Sequence, residues 1–344
     1  MQTALLRMSD RGDHLRQLAA CLIDPHCRWE QWAPALDQWY DDLCALAQID
    51  PRNQALLDNV ELKYGQAIGA YWAASCVKDY HRTRRFVQGI YQAIIDQQAL
   101  HPGRAVNLLY AGTGPFATLV LPLMTLFRPG EVDFYFLEIN PQSRAILGQV
   151  LELYNLSEYV RLISDADAST FQLPDDITID IAVAETMQHA LQREPQVAIT
   201  LNLCRQLPPH AIFIPQQITI SAGLLHPGKD TERAMGLLED LQDAYLLLTV
   251  IFDLQKENAA QYLTAAGEYH FPVVETVAQI DEGYSRLCLF TKIRIYNDIQ
   301  LDYSDSGLTL PKTLGDIAVP AVSLQFQYQL GVDPGFVWKM IPAR

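Results

Sequence analysis

Positive charge is scarce in this chain. Its 25 lysines and arginines stand against 40 aspartates and glutamates, a net charge of −15. It therefore lacks the basic stripe that a nucleic-acid binder needs to neutralise phosphates. Cysteine is sparse and unpatterned: positions 21, 27, 44, 76, 204 and 288 include no CxxC pair and form no metal-ligand cluster with histidine. They read as reduced thiols of a cytoplasmic protein, with no metal expected. The opening MQTALLRMSDRGD has neither a continuous apolar core nor a cleavage site, so no signal peptide is expected. The longest apolar run, 245–252, is too short to span a bilayer. There is no internal repeat and no low-complexity window. What is present is 344 residues, 49% of them apolar, enough for two domains and a sizeable core.

The texture of the chain changes twice. Residues 1–100 carry helical periodicity almost throughout; Trp29, Trp32, Leu36, Trp39, Tyr40 and Leu43 recur at steps of three and four and mark one apolar face. A second helical stretch, 71–99, ends before the turn His101-Pro102-Gly103. Short apolar runs then alternate with helical ones. Strands are expected at 106–110, 132–138, 160–164, 179–184 and 211–214, with helices at 116–126, 142–154 and 194–207. That alternation predicts an α/β fold, a doubly wound parallel sheet over about 101–222. From 223 onward, a mainly helical segment over about 229–263 is expected to project as an arm. Alternating runs after Tyr269 predict a terminal β-domain, a barrel or sandwich.

Three places carry chemistry. Gly112-Thr113-Gly114 lies between a buried strand and a helical run, where glycines let a backbone approach a ligand and a helix start offers free N–H groups. Glu138 ends the next strand and is placed to accept the hydroxyls of a ribose. Asp165 and Asp167, after the third strand, can meet an adenine amino group or cap the following helix. A dinucleotide fingerprint would have a third glycine where this chain has Ala117, which favours S-adenosylmethionine over NAD. Finally, AETMQHALQRE sets Glu185 and Glu194 nine positions apart after a fourth strand. Two carboxylates converging on one pocket can grip a planar cation such as a guanidinium.

These residues resemble the protein arginine methyltransferases. The glutamate pair looks like that family's double-E loop. KDYHRTRRF (78–86) is similar to its KDxxRTxxY helix, which folds over the cofactor. IFIPQQITISAGL (212–224) is like its strand leaving the catalytic domain for a β-barrel. Order and distances agree from about residue 71 to 224; residues 1–70 show no match, and the last 120 match in texture only. The resemblance implies a Rossmann-like methyltransferase domain with an N-terminal helical region (1–100, including the lid helix) and a C-terminal β-barrel-like domain (223–344). It implies S-adenosyl-L-methionine held by Arg82, Ala111, Gly112, Thr113, Gly114, Glu138, Asp165 and Asp167, with Arg82 on the cofactor's carboxylate. Glu185 and Glu194 would clamp a guanidinium, with Glu185 the catalytic partner. Met187 and His189, inside the loop, are candidate substrate contacts.

The departures bear on the substrate. Leu108 and Tyr110 replace the family's first-motif aspartate and leading glycine, Phe86 replaces a tyrosine, and no Thr-His-Trp tripeptide exists to brace the site. The expected activity is therefore transfer to a guanidino nitrogen of arginine or an arginine-like, cationic small molecule, by a homodimer assembled through the arm. Alternatives left open are a peptidyl-arginine substrate, another amine or hydroxyl, and a non-catalytic cofactor-binding partner.

Overall fold

The computed structural model describes residues 8–237, 241–264, 268–279, 283–317 and 321–341. It opens with two packed helices, α1 (Met8–Ile23) and α2 (Trp29–Leu46). α2 buries Trp32, Leu36, Trp39, Tyr40 and Leu43, the stripe its spacing predicts except for Trp29, which is exposed at the helix start and stacks on His81. Cys21 and Cys27 form a disulfide across the turn between them. This corrects the expectation of six reduced thiols. The helix end and turn hold their Cα atoms 5.6 Å apart, within bridging range, and Cys44, Cys76, Cys204 and Cys288 remain free.

After α3 (Gln54–Leu57), the strands β1 (Val60–Leu62) and β2 (Gly65–Ala67) form an antiparallel hairpin inside what the sequence reads as a helical region. Gly65 turns it at φ +116, a backbone that L side chains disfavour. Then come α4 (Ala70–Ser75), a 3-10 turn over Cys76–Lys78, and α5 (Tyr80–Leu100). The Asp79 carboxylate caps α5 by accepting the Arg82 N–H. Phe86, Val87, Ile90, Ala93 and Ile94 seat it in the core.

The α/β domain follows as β3 (Val106–Ala111), α6 (Leu121–Met124), β4 (Val132–Leu137), α7 (Pro141–Leu153), β5 (Val160–Ser164), β6 (Ile181–Ala184), α8 (Gln196–Cys204) and β7 (Ile212–Ile214). The strands pair in parallel in the order β5-β4-β3-β6-β7. β3, β4 and β6 are buried almost throughout, as strands covered on both faces are. One expected helix falls short. Over 116–126 only α6 is regular; residues 115–120 run as turns, with Ala117 at φ +42. Pro122 in the first turn of α6 starts a fresh helix there.

β8 (Gln217–Leu225) leaves the parallel sheet and begins the C-terminal β-domain. It is followed by α9 (Pro227–Ala234), β9 (Tyr245–Gln255), β10 (Val274–Gln279), β11 (Arg286–Tyr296), β12 (Ile299–Leu301), β13 (Lys312–Asp316), β14 (Ala321–Gln329) and β15 (Gly335–Ile341). One antiparallel sheet runs β12-β11-β8-β9 with β13 also on β11; the other runs β10-β14-β15. The helical arm expected over 229–263 is corrected: α-helix ends at Ala234, 3-10 turns follow at Leu241–Ala244 and Lys256–Tyr262, and between them β9 pairs with β8 along its length. Tyr, Thr, Val, Ile and Phe in YLLLTVIFDLQ suit a half-buried strand, and the open edge of β8 decides for it. Residues 238–240 of that segment lie outside the described residues. No described helix is long and apolar enough to cross a membrane.

Candidate active site

The strand order reverses at β3, and open α/β sheets bind ligands at such a switch point, beyond the carboxyl ends of the strands. A cavity of about 170 Å³ lies there. Its floor is the loop after β3 with Glu138 from the end of β4; one wall is the segment after β6. α4 and α5 cover it with Ala73, Cys76, Asp79 and Arg82, and the β1–β2 hairpin adds Leu62, Gln66, Ala67 and Ile68.

Gly112 and Gly114 have φ of +74 and +60. A Cβ on Gly112 would collide with the Thr186 side chain, and one on Gly114 would lie 3.3 Å from Ala73. The turn therefore has the bare backbone that close ligand approach requires. Glu138 is buried beside it. Its Oε2 accepts the Gly114 N–H at 2.7 Å and its Oε1 the Asn140 N–H at 2.8 Å. Burial pushes its pKa up, while those two N–H groups and Thr113 pull it back. Thr113 lines the cavity, whereas Ala111, the last residue of β3, is buried behind it. Asp167 reaches the cavity and accepts the Ser169 N–H at 2.8 Å, capping a turn where a helix is expected. Asp165 does not line it; its largely exposed side chain is 3.8 Å from Arg144.

Glu185 and Glu194 both line the cavity and are each 8% exposed. Arg82 enters from α5, 7% exposed, and forms an ion pair with Glu185 while donating to the Cys76 carbonyl at 3.1 Å. Glu194 has no ion pair of its own. Burial pushes its pKa up to about 7, against the opposing pull of Arg82 and the Gln188 side chain. Arg82 is the one cationic side chain lining the cavity among the described residues. Facing it are Asp79, Glu138, Asp167, Glu185 and Glu194.

Met187 lines the cavity; His189 does not. The His189 ring sits 3.2 Å from the Gln192 amide, and burial, with Lys312 and Arg193 nearby, pushes its pKa down. His189, a candidate substrate contact, thus stands within the loop and outside the cavity lining. That loop is held in an unusual shape: Ala190, Leu191 and Arg193 have φ of 57, 54 and 65, sparsely populated for residues with a side chain. Its backbone is tied to the β-domain and hairpin. The Ala190 N–H donates to Thr291 Oγ1 at 3.0 Å, Tyr328 OH to the Leu191 carbonyl at 2.9 Å, and the Arg193 N–H to the Pro334 carbonyl at 2.9 Å. The Arg193 carbonyl in turn accepts the Gln66 N–H at 2.9 Å.

Several lining residues escape the sequence reading. Tyr110, noted only as a replaced glycine, lines the cavity, and burial raises its pKa. Asp79 both caps α5 and accepts the Gly307 N–H at 2.8 Å, so the β-domain braces the lid without a Thr-His-Trp motif. The capping pattern of Asp79 is legible in KDYHRT; its partner 228 residues away is not.

No protein-family model matches the sequence, and no curated protein matches it. The fold, however, is that of the arginine methyltransferases, a Rossmann-like domain joined to a β-barrel-like one. Protein arginine methyltransferase 6 with S-adenosylhomocysteine superposes with a TM-score of 0.53 at 10% identity, over 77% of this chain and 98% of that one. The Trypanosoma brucei protein arginine methyltransferase 1 enzyme–prozyme heterotetramer with S-adenosylhomocysteine gives 0.52 at 12%, over 77% and 90%. Arabidopsis thaliana protein arginine methyltransferase 10, in an open conformation, gives 0.51 at 12%, over 74% and 86%.

Proposed function

We propose that this chain is an S-adenosylmethionine-dependent N-methyltransferase acting on a guanidino nitrogen of arginine or an arginine-like small molecule. The observation that carries the reading is the charge of the cavity: five carboxylates against Arg82, with Glu194 buried and unpaired beside Glu185. A buried carboxylate is costly without a cation, and a guanidinium would supply one. The glycine turn and Glu138 fit a nucleoside cofactor, and fold-level likeness to arginine methyltransferases agrees. The hairpin seated on Arg193 closes the cavity beside Glu194 and supports a small substrate over a peptide.

When bound, the cofactor supplies an electrophilic sulfonium methyl. The residues do the rest by position and charge. Glu185 and Glu194 accept N–H bonds from the substrate guanidinium, drawing positive charge onto those nitrogens and aligning the third for in-line attack. Arg82 holds a carboxylate in either state. With Glu185 as its partner, the substrate clamp is half occupied by the chain's own guanidinium; a cofactor carboxylate drawing Arg82 away frees Glu185. Cofactor binding should therefore precede substrate binding. The cavity of about 170 Å³ is smaller than ordinary ligand clefts of roughly 300–1,000 Å³, so we expect the cover formed by α4 and the start of α5 to open as both ligands enter.

The test is labelled methyl transfer, with free arginine and arginine peptides offered in parallel. Transfer to free arginine supports this reading. Transfer to peptides alone makes the substrate protein-borne, and methylation only of lysine-like amines or phenols overturns the guanidinium clamp. A homodimer is part of the proposal, no longer through a helical arm; sedimentation as a monomer refutes it.

A further inference from the structure

At the opposite end of the parallel sheet, three ligand-type side chains converge. His101 caps the carboxyl end of α5, Asp180 immediately precedes β6, and His210 lies two residues before β7. One donor atom of each lies within 4.8 Å of the other two. His210 Nε2 is 3.8 Å from Asp180 Oδ1, and the two imidazole centroids are 5.5 Å apart. Asp180 is fully buried.

Two polar atoms here have nothing to bond. His101 Nε2 is enclosed without a hydrogen-bond partner. So is Oε1 of Gln97, one helical turn back on α5, although its amide donates to the His210 carbonyl at 3.1 Å. Orphaned buried polar atoms are rare and call for a missing partner such as a water or an ion. Two imidazoles and a carboxylate are a transition-metal donor set rather than one for calcium or magnesium.

We propose that His101, Asp180 and His210 bind a divalent transition metal of the zinc class, with water completing the shell. It would clamp the foot of the lid helix to the starts of β6 and β7. Metal bonds of about 2.0–2.2 Å at tetrahedral angles put donor atoms roughly 3.3–3.6 Å apart. The His210–Asp180 pair is nearly there, and the widest separation must close by roughly 1 Å.

Arg104 is the competitor. Its two amino groups donate to the Asp180 carboxylate at 2.6 and 2.9 Å. Its side chain is 41% exposed and can withdraw into solvent. The Asn107 N–H would stay on Oδ2 at 2.9 Å, leaving Oδ1, the oxygen nearest His210, for the metal. The site stands apart from the proposed methyl transfer and holds whether or not that reading does.

The test is calorimetric titration of the chelator-stripped full chain with Zn²⁺, alongside thermal unfolding. One equivalent should bind and raise the midpoint, since a ligand held only by the native state stabilises it. His101→Ala and His210→Ala should each weaken binding by roughly tenfold or more. Arg104→Gln, which keeps all three donors and removes the competing cation, should tighten it by a similar factor. Co²⁺ should give the visible absorption bands of a low-coordinate nitrogen–oxygen site. If the wild type binds no Zn²⁺, or the histidine variants bind it equally, the site holds water and the proposal fails. Should the histidine variants not fold, the Arg104→Gln titration alone decides: unchanged or weaker binding overturns the site.

Discussion

At the residue scale the two kinds of carboxylate in the cavity have opposite needs. Glu138 is already satisfied by backbone N–H groups from Gly114 and Asn140. Its replacement by alanine should weaken S-adenosylhomocysteine by about 1–3 kcal/mol, the cost of leaving ribose hydroxyls unpaired; NAD should show no calorimetric binding to the wild type. An unchanged affinity would remove Glu138 from the cofactor site. Glu194 has a neutral partner in the Gln188 side chain and, among the described residues, no ion pair. Burial raises its folded-state pKa from the ordinary 4.5 to about 7, so between those values the native state holds more proton than the unfolded chain. Stability must then fall as pH rises through this window, by roughly 3 kcal/mol at 1.36 kcal/mol per pKa unit. Glu194→Gln should accordingly be more stable than wild type at pH 8, indistinguishable from it near pH 4, and inactive. Denaturant unfolding at the two pH values reads this directly; equal stabilities at pH 8 would mean that Glu194 is not strained by burial. Glu185→Gln keeps the shape but not the charge, and transfer should fall about a hundredfold or more with cofactor affinity nearly unchanged.

At the element scale the cover of the cavity joins a part that lines it to a part anchored in the core. α4 and the first turns of α5 line the cavity through Ala73, Cys76, Asp79 and Arg82, while the middle of α5 is anchored by buried Phe86, Val87 and Ile90. A ligand-ordered lid with a fixed stem is expected. Hydrogen exchange of residues 71–90 should slow when S-adenosylhomocysteine is added, and protection beyond Ala93 should stay constant. Equal exchange with and without ligand would make α4 and α5 mere scaffold. The loop between Glu185 and Glu194 is different in kind. Its three left-handed residues are over-determined by Thr291, Tyr328, Pro334 and the Gly65 hairpin, so it is expected to stay fixed while the lid opens.

At the scale of the whole molecule, Asp79 is the joint between lid and β-domain. One of its oxygens caps α5 and the other accepts the Gly307 N–H. Asp79→Ala should cost about 1 kcal/mol in denaturant unfolding, the usual value of a lost helix cap. It should also weaken cofactor affinity, because the lid loses its brace on the β-domain. Asp79→Asn keeps one oxygen for the cap but sets an amide NH2 against the Gly307 N–H, losing that bond, so it should recover the cap's share of stability and little of the affinity. If both variants bind cofactor as wild type does, the joint is structural alone.

The sequence by itself determined what depends on local pattern. Five runs became β3–β7 with boundaries shifted by at most two residues; β3, β4 and β6 were plain because a strand covered on both faces must be apolar along its length, whereas the edge strand β5 is only partly buried. The glycine turn, the acid at the end of β4 and the glutamates flanking the loop after β6 were readable for the same reason: strand ends fix where side chains emerge. Tertiary structure decided the rest. Tyr245–Gln255 reads equally as an apolar helix or a strand, and only the free edge of β8 selects the strand. The hairpin at 60–67 is too short to announce itself and gains its role from the Arg193 backbone it covers. Cys21 and Cys27 meet because the chain folds back on the end of α1 in the turn that leads to α2. Arg82 was legible as a candidate site residue, but its ion pair with Glu185, 103 positions away, is fixed by how α5 lies across the sheet. Local periodicity sets which elements form; which charges face one another is a property of packing, which no stretch of sequence contains.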